Sequence, residues 1–294
     1  MSKGSRETGL AVWGCRSRQT AVTVTALLRA GVAVRCLVLA GQLPASSQRA
    51  GVPLALWPTD PLPIAEQAGI PVIWIPHRKA LLDTHTDPRL GAERALVSCF
   101  PWRIPNTVIS RYPSGMVNIH PSLLPDYRGP APLFWQYRDG RLRTGVTLHQ
   151  VTDELDAGPV VGRAACDLPL AFPGDRLEAW LTWYGVNLFL QFLDGHRERS
   201  PRNARHVSRE WARLPGPEDM LVDWEWPCWR TVHFLAGVLP LSYPVTIRDR
   251  DGRRWQVQRL VGWTPTPNLP SQSTTPLVSL AFIDGYLTLA ARPL

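Results

Sequence analysis

The sequence predicts an α/β fold, a doubly wound and mostly parallel sheet, with a smaller carboxy-terminal β-rich domain. Near the start, apolar runs at residues 9–14 and 32–39 flank a helical segment at 19–30. This strand-helix-strand order is typical of two parallel strands joined by a crossover helix. Near the end, short apolar runs alternate with turn signals such as Asp251-Gly252 and Asp284-Gly285, which favours a small antiparallel barrel or sheet.

Length and composition are consistent with two domains. The chain has 294 residues, of which 45% are hydrophobic, and a single core stops growing near ~250–300 residues. We predict a main domain over residues 1–200 and an OB-like domain over residues 201–294, with a basic linker at its start. No run approaches the ~20 apolar residues of a membrane span, and the first residues lack a secretory signal. We therefore expect a cytoplasmic protein that does not contact a membrane.

The remaining elements follow from apolar periodicity. The pattern predicts helices at 63–68, 131–138 and 226–236, and strands at 71–75, 95–100, 115–120, 145–151, 160–167, 242–248, 255–261, 277–282 and 286–290. Residues 77–89 are polar and are interpreted as a surface loop. Residues 173–193 carry an apolar stripe with helical spacing, which we interpret as core rather than as a cofactor site; its members are Leu177, Trp180, Leu181, Tyr184, Leu188, Phe189 and Phe192.

Cysteine and histidine usage predicts no metal site. The five cysteines include no C-x-x-C pair, and the seven histidines include no H-E-x-x-H spacing. Scattered cysteines, odd in number, are typical of reduced thiols in a reducing compartment. The turn after the first strand, Gly14-Cys-Arg-Ser-Arg, also lacks the G-x-G-x-x-G pattern, which argues against a nicotinamide cofactor.

The net charge of +8 suggests an anionic partner, although 30 of the 32 basic residues are Arg, which also fits a bias of genome composition. Half of this charge lies between Gly195 and Leu214, where six Arg and two Glu give 6 − 2 = +4. Such a stripe beside a linker is either a phosphate-contacting surface or a solvated linker. Its arginines are Arg197, Arg199, Arg202, Arg205, Arg209 and Arg213.

Polar residues at the end of one predicted strand indicate chemistry. Side chains alternate along a strand, so Asn118 and His120 point to the same face. Burying an amide and an imidazole costs free energy unless both are hydrogen-bonded. Together with a carboxylate such as Asp156, they suit stabilisation of an oxyanion in acyl transfer. Taken singly, each residue also fits a structural role, as a cap, a core histidine or a turn former.

Two long motifs resemble the formyltransferase family, whose members move a formyl group from 10-formyltetrahydrofolate to an amine. They are NIHPSLLPDYRGPAP, starting at Asn118, and GVTLHQVTDELDAGPVV, starting at Gly145. Through this resemblance, Asn118, His120 and Asp156 occupy the positions of the family's catalytic Asn, His and Asp. The resemblance also implies the family's Rossmann-like catalytic domain and a reduced folate as formyl donor. The folate-contacting positions that it implies are Trp102, Arg103 and Ile104 for the pterin, and the loop of Ser122, Leu123, Leu124 and Pro125.

The resemblance leaves the acceptor open. The Tyr127-Arg128-Gly129-Pro130 stretch and the second domain look like the branches that act on methionyl-tRNA and on amino sugars. Initiator methionyl-tRNA is the acceptor we expect, because of the two-domain layout and the charge. The tRNA branch, however, carries a basic insertion after its second strand, where residues 41–50 here hold only Arg49. A sugar nucleotide or another small amine is the alternative, and a non-enzymatic folate- or RNA-binding module is a third reading, against which the complete Asn-His-Asp set argues.

Overall fold

A computed structural model of the protein describes residues 9–41, 58–83, 87–196, 211–266 and 277–294. The chain divides into two compact units. The first contains residues 1–129, 145–165 and 178–211, and the second contains residues 130–144, 166–177 and 212–294. The second unit thus includes two internal stretches besides the carboxy-terminal residues. The domain boundary predicted at residue 200 lies outside the described residues and stays a prediction.

The first sheet confirms the predicted α/β class. Among the described residues, seven strands pair in the order β3-β2-β1-β4-β5-β6-β7. Neighbours from β3 to β5 are parallel, whereas β6 runs antiparallel to β5. The strands are β1 (Leu10–Cys15), β2 (Val34–Ala40), β3 (Val72–Ile75), β4 (Arg94–Ser98), β5 (Met116–His120), β6 (Arg143–Gln150) and β7 (Val160–Asp167). Strand order reverses between β1 and β4, and ligands of open α/β sheets bind beyond the carboxyl ends of strands at such a point.

Six helices and four single 3₁₀ turns accompany the strands in the described part of the chain. The helices are α1 (Arg18–Arg29), α2 (Leu62–Gln67), α3 (Asn106–Ile109), α4 (Pro132–Arg138), α5 (Gly174–Leu193) and α6 (Cys228–Val238). The 3₁₀ turns are Arg78–Leu81, Pro88–Leu90, Pro217–Met220 and Leu239–Leu241. The first turn lies in the stretch interpreted as surface loop, residues 77–89, and the second overlaps its end, so that interpretation was incomplete. Leu81 is buried within the stretch and anchors it to the core.

Helix α1 begins very close to the sheet, and Gly14 permits this approach. A Cβ atom at Gly14 would lie 2.2 Å from Oγ1 of Thr20. The Thr20 hydroxyl donates to the Ser98 carbonyl at 2.9 Å, and Thr23 donates to the Ser98 hydroxyl at 2.9 Å. Ser17 caps the helix by accepting from the Thr20 amide. These bonds fix the start of α1 against the ends of β1 and β4.

Helix α5 packs on the face of β5 opposite to Asn118 and His120. A Cβ atom at Gly185 would lie 2.5 Å from Cγ2 of Ile119, so only glycine lets the helix come this near. Most of the predicted stripe is buried or half-buried, but its interpretation as core was wrong for Trp180 and Tyr184, whose exposed fractions are 37% and 39%. They are exposed because they lie at the edge of the apolar stripe. Their rings pack on each other, with centroids 5.4 Å apart.

The second unit contains a five-stranded sheet, which confirms the predicted β-rich domain. The strands β8 (Leu221–Asp223), β9 (Thr246–Arg248), β10 (Arg254–Thr264), β11 (Leu277–Phe282) and β12 (Gly285–Pro293) pair in the order β11-β12-β10-β9-β8. All pairs are antiparallel except β8 with β9, and the short strand β8 was not predicted. Helices α4 and α6 share an aromatic core in which the Phe134 and Phe234 rings lie 5.5 Å apart.

Several predicted features lie outside the described residues. One is the segment after Gly41, where the tRNA branch of the family carries its basic insertion. Another is most of the loop before β11. The third is the set of five linker arginines, namely Arg197, Arg199, Arg202, Arg205 and Arg209. In the part of the chain that is described, none of the helices combines the length and the hydropathy needed to traverse a lipid bilayer.

Candidate active site

The β5–β6 pairing creates a polar cluster at the carboxyl end of β5. Its register places Asn118 opposite His149 and His120 opposite Thr147. Because the strand alternates, Ile119 faces α5 while Asn118 and His120 share the other face, as the sequence predicts. His120 and His149 are buried and Asn118 is half-buried, so the strand end holds two imidazoles away from bulk water beside a partly exposed amide.

Asp156 reaches this cluster from the loop between β6 and β7. Its backbone has a φ of +51°, a left-handed conformation that is uncommon outside glycine. The buried carboxylate lies 3.5 Å from Nδ1 of His120 and 3.4 Å from Nε2 of His149. It also accepts hydrogen bonds from the Gly129 amide at 2.8 Å and from the Asn118 side chain at 3.4 Å. The structure therefore brings together Asn118, His120 and Asp156, which lie up to 38 residues apart in the chain.

The environment of Asp156 keeps its carboxylate ionised. Burial by itself raises the pKa of Asp156, but the neighbouring His120 and His149 imidazoles and the Gly129 amide outweigh burial and lower the pKa to about 2. Donors that favour the charged form of a carboxyl act in this direction. A negative charge is thus held at the strand end across the neutral pH range.

His120 lies between two acceptors. A carbonyl oxygen only accepts, so Nε2 of His120 donates to the Tyr127 carbonyl at 2.9 Å, while Nδ1 faces Asp156. Burial lowers the pKa of His120 below its ordinary value, against the opposing influence of Asp156. The resting ring is therefore neutral near pH 7, with Nδ1 unprotonated, and the carboxylate beside Nδ1 stabilises the imidazolium form whenever a proton arrives.

His149 was not among the predicted site residues. Its Nδ1 donates to the Gln150 carbonyl at 2.9 Å, which leaves Nε2 to accept from the Asn118 amide at 3.0 Å. An ionised Asp156 also only accepts, so the Asn118 group that faces both residues is the NH₂ group. His149 and Asp156 thereby fix the orientation of the Asn118 amide. The alternation of side chains along β6 gives a signal in the sequence for His149. Only the register between β5 and β6, however, places His149 opposite Asn118.

The loop after β5 is held by internal hydrogen bonds. The Thr147 hydroxyl donates to the Ser122 carbonyl at 2.7 Å and accepts from the Leu124 amide at 3.1 Å. The Ser122 hydroxyl donates to the Asp126 carbonyl at 2.6 Å, and Arg163 donates to the Leu124 carbonyl at 3.2 Å. Ser122 and Leu124 are buried, whereas Leu123 and Pro125 are half-buried. Leu123 and Pro125 are therefore the members of this loop with side-chain surface left for a ligand.

The segment after β4 lies at the same edge of the sheet. Ile104 is buried in the core, and Trp102 is half-buried, with its ring 5.7 Å from that of Phe100. Arg103 is exposed, and its guanidinium lies 3.6 Å from Asp153, in the loop that carries Asp156. Of the three predicted pterin-site residues, Arg103 and Trp102 present side-chain surface, and Ile104 offers mainly its backbone.

A buried Asn-His-Asp cluster at the carboxyl edge of a mostly parallel sheet is an arrangement suited to acyl transfer. Comparison with known proteins agrees with this interpretation. The family model described as formyl transferase matches residues 48–179, a range that includes Asn118, His120, His149 and Asp156. Methionyl-tRNA formyltransferase of Roseiflexus castenholzii is 31% identical over 157 residues, which is 50% of this chain and 50% of that protein.

Solved structures share the fold. The chain is similar to HypX from Aquifex aeolicus in complex with tetrahydrofolic acid, with a TM-score of 0.63 and 14% identity over 97% of this chain and 44% of that chain. It is also similar to WlaRD, a sugar 3N-formyl transferase solved in the presence of dTDP and 5-N-formyl-THF, with a TM-score of 0.59 and 12% identity over 97% of each chain.

These matches support assignment of residues 48–179 to the formyltransferase family. The chain spans about half the length of the first curated relatives that it matches.

Proposed function

We propose that this protein transfers a formyl group from 10-formyltetrahydrofolate to a primary amine. The observation that carries the proposal is the cluster at the end of β5, where Asn118 lies within hydrogen-bonding distance and His120 within ion-pair distance of an ionised Asp156. The cluster falls inside the region that matches the family model. We assign catalytic roles to these three residues and no role to a metal ion.

In the proposed reaction, the neutral amine of the acceptor attacks the formyl carbon. A C–N bond forms, and the electron pair of the formyl C=O bond moves to oxygen. The Asn118 amide donates to this oxyanion, and His120 does so once a proton has converted it to the imidazolium form that Asp156 stabilises, because preorganised donors are most effective where charge develops. The attacking nitrogen becomes acidic and loses a proton to the His120–Asp156 pair. The pair passes this proton to N10 of the folate, and collapse of the intermediate re-forms the C=O bond and breaks the C–N10 bond, so that the donor leaves as tetrahydrofolate.

The donor site that we propose lies around the carboxyl ends of β4 and β5. Its members are Trp102, Arg103 and Ile104, with Ser122, Leu123, Leu124 and Pro125. The half-buried Trp102 offers an aromatic edge and Arg103 a cation, which suit a flat heterocycle and the anionic tail of a folate. The solved structures with tetrahydrofolic acid and with 5-N-formyl-THF, which share the fold, support a folate donor.

Methionyl-tRNA is the acceptor that we propose, with a cytoplasmic location. The curated relatives carry that name, and the net charge of +8 favours a polyanionic substrate. An amino-sugar nucleotide is the second candidate, because WlaRD is a sugar 3N-formyl transferase with the same fold and because residues 41–50 contain only one basic residue.

A transfer assay tests the activity. The purified protein is incubated with 10-formyltetrahydrofolate and either methionyl-tRNA or a panel of amino-sugar nucleotides, and the acceptors are analysed by mass spectrometry. We expect a gain of one formyl group that persists in the presence of a strong chelator. A protein that binds no reduced folate in a calorimetric titration would contradict the donor assignment, and loss of activity with chelator would contradict the metal-free mechanism.

Salt dependence separates the two acceptors. Each phosphate contact with duplex nucleic acid changes log affinity by roughly one unit per log unit of salt, so tRNA binding should be steep and small-amine binding shallow. Replacing Arg197, Arg199, Arg202 and Arg205 by Ser should reduce the slope by several units without changing folate binding. A slope near zero with methionyl-tRNA would favour the sugar-nucleotide reading.

A further inference from the structure

Two cysteines face each other at the point where the strand order of the first sheet reverses. The register of β1 and β4 pairs Gly14 with Ser98, and the next residues along the two strands are Cys15 and Cys99. Their Sγ atoms are 3.5 Å apart. Adjacent strands lie about 4.8 Å apart, which is inside the Cα separation that a disulfide spans. The two sulfurs therefore need an approach of only about 1.5 Å to form a bond of ~2.05 Å.

The backbone around this pair is fixed by the fold. The Cys15 amide donates to the Thr20 hydroxyl at 3.3 Å, and that hydroxyl in turn donates to the Ser98 carbonyl. Cys99 has a φ of +63°, a conformation that a non-glycine residue adopts at a free-energy cost and that only surrounding structure maintains. Both residues are half-buried rather than fully enclosed.

The electrostatic setting distinguishes Cys15 from the other thiols. The Cys99 thiol donates a hydrogen bond that, with a contribution from Ser17, overcomes burial and lowers the pKa of Cys15 to about 7. Cys15 also stands just before the first turn of α1, and helix starts favour thiolates. By contrast, burial raises the pKa of Cys36 to about 11 and that of Cys228 to about 12. Cys15 thus combines thiolate character, access and a neighbouring second thiol, the features of redox-active cysteines.

We propose that Cys15 and Cys99 form a reversible oxidation site, in which a peroxide converts the thiol pair into a disulfide that joins the ends of β1 and β4. The Cys15 thiolate attacks one oxygen of hydrogen peroxide, the O–O bond breaks, and a sulfenic acid forms with release of hydroxide. The Cys99 sulfur then attacks the Cys15 sulfur and loses its proton, and the sulfenic oxygen leaves as water. The two thiols lose two electrons, and the peroxide ends as two water molecules.

Mass spectrometry tests the proposal directly. The reduced protein is treated with one equivalent of hydrogen peroxide, alkylated and digested with trypsin. We expect a disulfide-linked pair of the peptides that contain Cys15 and Cys99, loss of two of the five thiols and full recovery of both thiols with dithiothreitol. Cys166→Ser is the matched control, because Cys166 is also half-buried, and it should form the same link. Cys15→Ser and Cys99→Ser should form no intramolecular disulfide.

Two results would overturn the proposal. One is oxidation of Cys15 to sulfinic acid with Cys99 still alkylated, and the other is a disulfide that involves Cys36, Cys166 or Cys228. A circular-dichroism spectrum of each variant confirms that it folds, so that a missing link is not caused by unfolding. The readout needs no substrate, and its outcome is therefore independent of whether the protein transfers formyl groups.

Discussion

Two buried histidines, one in each compact unit, have contrasting partners. His233 on α6 donates through Nε2 to the Arg141 carbonyl at 2.9 Å and accepts at Nδ1 from the Ala171 amide at 3.2 Å. Both of its ring nitrogens are satisfied by backbone groups, and its ring packs 4.9 Å from that of Tyr137. His120 has one backbone partner, and its other nitrogen faces the Asp156 carboxylate at 3.5 Å.

The contrast separates a structural histidine from a chemically available one. Burial lowers the pKa of both rings, so burial alone does not distinguish them. A histidine whose two nitrogens bind backbone groups gains nothing from a proton. A histidine that faces a carboxylate gains an ion pair on protonation, and it can exchange that proton during a reaction. The predictions below test this distinction.

The largest expected effect is on turnover at the β5 end. His120→Ala removes the proposed oxyanion donor, and loss of one such donor typically lowers kcat by ~10²–10³. Asn118→Ala and Asp156→Ala should lower it to a similar extent. Steady-state kinetics with 10-formyltetrahydrofolate measure the loss, and thermal unfolding checks that the fold is retained. Near-full activity of His120→Ala would contradict the proposed mechanism.

The second largest effect is on stability at α6. His233→Ala removes the hydrogen bonds to the Arg141 carbonyl and from the Ala171 amide, and each hydrogen bond contributes roughly 0.5–1.5 kcal/mol. The free energy of unfolding in urea should fall by at least this amount, while kcat per folded molecule stays unchanged. A large loss of kcat in the folded protein would show that His233 is not purely structural.

How much of this arrangement the sequence predicts depends on the range of the interaction. The shared face of Asn118 and His120 follows from the two-residue period of a strand, and the turn that carries Asp156 lies within a motif that resembles the family. The role of His149 depends on the β5–β6 register across 31 residues, which local patterns do not encode. Likewise, helical spacing predicts which face of α5 is apolar but not how much of that face is buried. This is why the interpretation as core includes Trp180 and Tyr184, which the structure exposes.

A smaller effect is expected at His149, which holds the Asn118 amide rather than a reacting atom. His149→Phe keeps a ring but removes the acceptor at Nε2, and one neutral hydrogen bond contributes about 1 kcal/mol, or roughly a fivefold change in kcat. His149→Gln retains a side-chain acceptor and should recover most of the loss. An unchanged kcat for His149→Phe would show that Asp156 orients the amide without help from His149.

The smallest effect is a difference in pH dependence. Because burial lowers the native pKa of His120 and His233, the unfolded chain binds more protons than the native protein below the ordinary histidine pKa of about 6.5. The stability from these neutral rings is complete above that pH and is lost as the pH falls, by at most about 1.4 kcal/mol per pH unit for each ring.

His233→Gln can keep both backbone partners without titrating, so the free energy of unfolding of this variant in urea should decline less between pH 7 and pH 5 than that of the unmodified protein. Above about pH 8, His233 is neutral in both the folded and the unfolded state, and the difference in stability between variant and parent should no longer change with pH. Equal slopes below pH 6.5 would mean that His233 keeps an ordinary pKa in the native state, and the contrast with His120 would then rest on hydrogen bonding alone.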